Sequence, residues 1–127
     1  MTISQHDLDA LEQKLNDRLL GVSSMLSFTL SVHFCRDRVN DLRNRPPITL
    51  AELGDVFDRF IDQHMLALMS LQDGNTFNIR CKKSHINMPC GVEKRFANRV
   101  AVQKNIVITV MRKKDFKAAV TKDFEVS

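Results

Sequence analysis

Two groups of residues in this 127-residue chain carry side chains suited to phosphate chemistry. His33, Arg36, Asp37 and Asn40 lie three or four positions apart, with Arg38 and Arg43 beside them. On a helix that spacing makes one polar face. A histidine trades a proton near neutral pH, and an arginine neutralises charge building on a phosphorane. Together these are what cleavage of a phosphodiester without a metal requires. The same spacing also fits an ordinary helix surface, with His33 half-buried and the arginines paired to Asp37 and Asp41.

The second group, Thr109, Arg112, Lys113 and Lys114, ends a strand-like run near the C-terminus. In a regular strand 109, 111 and 113 share one face, and 110 and 112 the other. Thr109 and Lys113 could then meet a phosphate together, and Arg112 only if the chain bends or leaves the sheet. The competing reading is a solvated basic strand end that discourages edge pairing. A third cluster, Arg80, Lys82, Lys83 and His85, could extend the same anion-binding surface with Lys94, Arg95 and Arg99, or be a solvated sheet face.

Charge divides along the chain. Residues 75–127 hold twelve Lys and Arg against four Asp and Glu, whereas residues 1–74 hold seven against eleven. A basic half of this kind suits a polyanion, nucleic acid first among them. With no Trp and no Tyr, contacts to nucleic acid would lean on phosphates rather than stacked bases. Cys81, His85 and Cys90 form a C-x3-H-x4-C pattern that departs from paired-cysteine zinc spacing, so no metal and no cofactor is assigned. His6 and His64 have no evident partners. There is no glycine-rich phosphate loop and no serine-elbow motif.

Three cysteines are an odd number, and free thiols in a reducing cytoplasm are the expectation. The polar stretch from Ser4 to Asp9 argues against a secretory signal. No apolar run approaches the roughly 18 residues that cross a bilayer, so no membrane partner is expected.

The elements that must position these groups follow from periodicity. Residues 1–22 predict an amphipathic helix, with Leu8, Leu11, Leu15, Leu19 and Val22 at helical spacing, Ser4 and Asp7 at its start and Gly21 at its end. Its apolar stripe could pack on the domain itself or on a protein partner. Residues 23–30 read equally as a connector or a helix extension. Val32, Cys35, Val39 and Leu42 predict a second helix from Ser31 to about Arg43, stopped by Pro46 and Pro47. Thr49 and Glu52 form a capping box, with Ile48 and Leu53 as a hydrophobic staple, opening a helix that buries Leu53, Val56, Phe57, Phe60, Ile61, Met65 and Leu68. After the Asp73-Gly74-Asn75 turn the period becomes two. The expected architecture is one α+β domain over 1–127, with N-terminal helices (1–22 and the helical part 31–72) packed on an antiparallel sheet in the basic part, 75–127.

The order His33-Phe34, Arg38-Val39-Asn40-Asp41, Arg43-Asn44, Pro47-Ile48-Thr49, Asn87-x-Pro89 and Thr109-Val110-Met111-Arg112-Lys113-Lys114-x-Phe116-Lys117 resembles a group of small uncharacterised phage proteins, over residues 31–117. That group is similar in layout to the barnase/RelE-like endoribonucleases and toxins, which cut RNA without a metal. The resemblance implies His33 as general acid or base, Arg38 and Arg112 on the scissile phosphate, and Thr109 or Lys113 assisting. It implies attack by the 2′-hydroxyl, leaving a cyclic phosphate. This chain has one residue more than the phage pattern between His-Phe and Arg-Val-Asn, which on an α-helix turns His33 by about 100° relative to Arg38.

The resulting expectation is a phage-type RNA-binding protein and metal-independent endoribonuclease of the host cytoplasm. Arg36, Arg43, Arg80, Lys82, Lys83, Lys113 and Lys114 would contact the nucleic acid. The alternative is a virion or assembly component that uses the fold for protein or DNA contacts without catalysis, its first helix being the docking element. A third reading is a nucleic-acid-binding regulator or inhibitor.

Overall fold

The structure, a computed structural model, describes residues 2–23 and 25–127. Two capping boxes start its two long helices. Ser4 and Asp7 cap α1 (Gln5–Leu20), and Thr49 and Glu52 cap α2 (Leu50–Met69). In each, the hydroxyl accepts from one free helix-end N–H while the acidic side chain accepts from another. Ile48 and Leu53 are both buried beside the second box. The apolar stripe of α1, Leu8, Leu11, Leu15 and Leu19, is buried in the protein's own core.

The strands are β1 (Leu26–Leu30), β2 (Thr76–Cys81), β3 (Ile86–Ala97), β4 (Val100–Val107), β5 (Met111–Arg112) and β6 (Lys122–Val126). They form one sheet in the order β1-β4-β3-β2-β6, with β5 beside β3. The class is α+β, as expected. The sheet, however, is mixed rather than antiparallel, because β1 lies parallel to β4 and β6 parallel to β2. The ambiguous 23–30 segment supplies β1; Ser24 within it lies outside the described residues. Leu26, Phe28 and Leu30 alternate inward, and a strand is the conformation that buries every second residue.

One face of the sheet meets both helices. Phe28, Phe57, Phe60, Phe77 and Phe124 form a cluster there, with ring centroids 5.3–6.2 Å apart. The core is continuous from Ile3 to Val126. Buried polar groups on this face are satisfied. Asn105 donates to Ser27 O, and Gln103 donates to Leu68 O and to Asn105 Oδ1.

Helix side chains close both outer edges of the sheet. Asn16 of α1 bonds both backbone groups of Phe28, at 2.8 and 3.0 Å, and Glu12 accepts from Leu30 N–H. Gln63 of α2 does the same for Ser127 at the other edge, and His64 donates to Glu125 O. Pairing of this kind blunts an edge that would otherwise recruit another strand. No helix among the described residues is long and apolar enough to cross a membrane.

The second helix expected over Ser31–Arg43 is the principal departure. It is a short helical turn ending in a π turn, Phe34–Arg38. Val32 and Leu42, half of the expected stripe, are exposed, while Phe34 and Val39 are buried. Residues five apart diverge by about 140° on an α-helix. Burying both Phe34 and Val39 therefore favours the wider i→i+5 turn, closed by Val39 N–H on Phe34 O at 3.0 Å.

The phenylalanines give a stability test. Phe60→Ala should cost about 3–5 kcal/mol in equilibrium urea unfolding. Phe96, 79% exposed, should tolerate alanine within about 0.5 kcal/mol. Similar losses for the two would contradict this description of the core.

Candidate phosphodiester-cleaving site

The π turn decides where His33 and Arg38 point. It holds one residue more than an α turn, which brings positions 33 and 38 to the same side. Arg38 Nε donates to His33 Nε2 at 2.9 Å, and His33 Nδ1 lies 3.3 Å from Asp37 Oδ2. A donor on Nε2 requires the proton to sit on Nδ1, so Asp37 holds that tautomer. His33, expected to be turned from Arg38, is in contact with it.

A break in the sheet brings the second wall. Pro89 lies inside β3, with its carbonyl accepting from Ile108 N–H at 2.9 Å. Its nitrogen, on the same edge, has no hydrogen to continue the ladder. The register shows the consequence. Cys90 pairs with Val107 and Asn87 with Met111, three steps on β3 against four on its neighbour. The extra residue makes a bulge over 108–110, a device that re-aims side chains. The strict alternation expected through Thr109–Lys113 is therefore lost, and 109–113 all border one cleft.

Two polar side chains tie the walls together. Ser31 Oγ accepts from Phe34 N–H at 3.0 Å and donates to Ile108 O at 2.5 Å, capping the helical turn and gripping the bulge at once. Buried Asn44 donates to Arg38 O and accepts from Arg112 N–H at 2.9 Å. Neither stands out in the sequence. A serine three residues before Phe34 is a helix-start signal, but nothing in its spacing points to Ile108.

Arg112 has a different role from the one expected. Its Nε donates to Pro46 O, its Nη1 to Glu52 Oε2 and Ser84 O, and its Nη2 to Pro47 O and Glu52 Oε1, at 2.6–3.1 Å. A guanidinium has five N–H donors, and all five are engaged. The side chain is 7% exposed. Arg112 borders the cleft yet has no donor left for a phosphate; it is a positioning residue. The cation next to Glu52 holds that carboxyl below its ordinary range, with the Thr49 N–H assisting.

The cleft itself has a volume of about 510 Å³. His33, Arg38, Asp41 and Arg43 stand on one wall and Thr109, Arg112 and Lys113 on the other. All four expected catalytic residues thus border one concavity. Asp41 lies between the cations, accepting from Arg43 at 2.7 Å and from Arg38 at 3.4 Å. The hydrogen bonds from Arg43 hold the Asp41 carboxyl well below the usual carboxylate range. Asp41 was read only as an ion-pair partner, and its placement inside the cleft could not be found from spacing.

The expected nucleic-acid contacts divide. Arg43 and Lys113 border the His33 cleft. Arg80, Lys82, Lys113 and Lys114 border a smaller one of about 230 Å³, although Arg80 is paired with Asp123 and Lys82 lies 3.9 Å from Glu125. Lys83 and Lys114 border a third. Arg36 is exposed on the π turn and lines none of these. Cys81 and Cys90 are buried, and no group of three or more His, Cys, Asp or Glu among the described residues could hold a metal ion. Burial pushes the Cys35 and Cys90 thiols up, away from nucleophilic thiolate chemistry.

Comparison with models of protein families, with curated proteins and with solved structures finds no match.

The Arg112–Glu52 pair is open to measurement. Glu52→Gln keeps an acceptor for the helix cap and removes the charge, and should cost about 1.5–3 kcal/mol at neutral pH. Because folding lowers the Glu52 value, this stabilisation is complete above the ordinary value and lost as pH falls through the folded one. Urea unfolding of both proteins at several pH values should show the gap narrowing towards acid. A gap independent of pH would exclude the ion pair as its source.

Proposed function

We propose that the chain is a phage-type RNA-binding protein that acts as a metal-independent endoribonuclease in the host cytoplasm. One observation carries this reading. His33, Arg38, Thr109 and Lys113 come from two distant parts of the sequence and border a single cleft.

In this mechanism RNA lies with one phosphate between the π turn and the bulge. Arg38 moves from His33 Nε2 to a non-bridging phosphate oxygen, a better acceptor for a charge-assisted bond. That frees Nε2 to take the proton of the neighbouring 2′-hydroxyl. The 2′-oxygen attacks phosphorus, the bond to the 5′-oxygen breaks as that oxygen takes a proton from solvent water, and a 2′,3′-cyclic phosphate forms. Asp37 stabilises the resulting imidazolium through Nδ1. Lys113, on the opposite wall, neutralises charge on phosphate and leaving oxygens, and the Thr109 hydroxyl orients a phosphate oxygen.

The alternative of a virion or assembly component docking through the first helix is less well supported. The apolar stripe of α1 is buried internally, and Asn16 and Glu12 are spent on the β1 edge.

Incubation with a structured RNA in EDTA tests the proposal. The wild type should produce fragments ending in cyclic phosphate. His33→Ala should slow cleavage by about 10²–10⁴-fold and Arg38→Ala by about 10²–10³-fold. Equal decay with wild type and His33→Ala would remove the case for His33.

A further inference from the structure

Back to back with the His33 cleft lies a second cavity, of about 540 Å³, and Arg112 stands in the wall of both. Its carboxylates are compensated. Glu52 is paired with Arg112, and Asp55 with Arg59 at 3.1 Å. Its remaining cations are not. Among the described residues the side chains of Arg45, Lys83 and Lys114 make no ion pair, and all three are exposed at the rim.

Ser84 adds a separate observation. Ser84 borders this cavity, and its Oγ is buried behind the surface with no hydrogen-bond partner among the described residues. Buried hydroxyls almost always have a partner, and a turn about its side-chain bond would let this one find an acceptor in the adjoining cationic cavity. The residue is held in place from behind, because Arg112 Nη1 donates to its carbonyl at 2.8 Å.

The two cavities are linked by cations. Lys113 borders the His33 cleft and the small cleft over β2 and β3, and Lys114 borders that small cleft and the second cavity. Among the described residues no phenylalanine lines any of the three, which suits backbone phosphates over stacked bases.

We propose that the Ser84 cavity is a phosphate subsite for the RNA strand whose scissile phosphate lies in the His33 cleft. Arg45, Lys83 and Lys114 supply the positive field, and the Ser84 hydroxyl turns out of its buried position to donate to a non-bridging oxygen. The inference rests on the RNA reading above. It makes the substrate a single strand that passes Lys113 and Lys114, with Arg112 as the partition between two phosphates.

The experiment uses His33→Ala protein, so that binding is measured without cleavage, and a single-stranded RNA oligonucleotide followed by fluorescence anisotropy across a salt series. Each phosphate contact to a single strand contributes about 0.7 to the slope of log K against log salt. Adding Arg45→Ala and Lys83→Ala should therefore flatten the slope by about 1.4. The same charge loss away from these cavities, Lys14→Ala with Lys104→Ala, both exposed and bordering none of the three, should leave it nearly unchanged. Ser84→Ala should weaken binding about tenfold without altering the slope. An unchanged slope for the cavity pair, or equal flattening for both pairs, overturns the subsite and leaves the RNA reading standing. Absence of RNA binding by the His33→Ala protein overturns the RNA reading and the subsite with it.

Discussion

The arrangement of the cleft depends on the saturation of one guanidinium. Arg112 gathers the carbonyls of Pro46, Pro47 and Ser84 and both oxygens of Glu52 around five donors. These come from the loop before α2, the first turn of α2 and the turn between β2 and β3. A planar fork with fixed donor directions can satisfy such a set only in one geometry. Removing it would leave a half-buried carboxylate and three carbonyls without their donor, so the three segments are held as a unit. The β5 backbone, fixed at the same residue through Asn44, then presents Thr109 and Lys113 at a set distance from the π turn.

Two irregularities face each other across that distance. The π turn comes from burying Phe34 and Val39, five residues apart, and the bulge from a proline inside a sheet. Neither breaks the core, since Phe34, Val39, Val107 and Val110 all remain buried. Each spends regularity where side chains must leave the pattern of their element, which is where such features concentrate in proteins. Ser31 joins them directly, its single hydroxyl serving the helical turn as acceptor and the bulge as donor. The sheet edges show the same economy: Asn16 and Gln63 satisfy strand backbones that no further strand covers.

Much of the frame was legible from local signals. Both helix starts and the change of period after Gly74 are short-range patterns, and each appears where the residues indicate. The misreading of Ser31–Arg43 has a specific cause. Val32, Cys35, Val39 and Leu42 fit an α-helical stripe, but Phe34, absent from that stripe, is the larger apolar group and claims the interior. The 23–30 segment was ambiguous because alternation over five residues cannot be told from a connector until a neighbouring strand, β4, is present to pair with it.

The residue types of the candidate site, a histidine and arginines in one segment and a threonine and lysines in another, are properties of the sequence alone, as are the basic half and the absence of Trp and Tyr. Their convergence is not. It required the π turn, which arises only when the core rewards burying Phe34 with Val39, and the bulge, which arises only when Pro89 meets a neighbouring strand. The fate of Arg112 was equally out of reach. Spacing shows a cation at the end of a strand, but only the folded chain brings Glu52 and three carbonyls to it. That is why a residue read as a phosphate ligand is, in the structure, the staple behind the site.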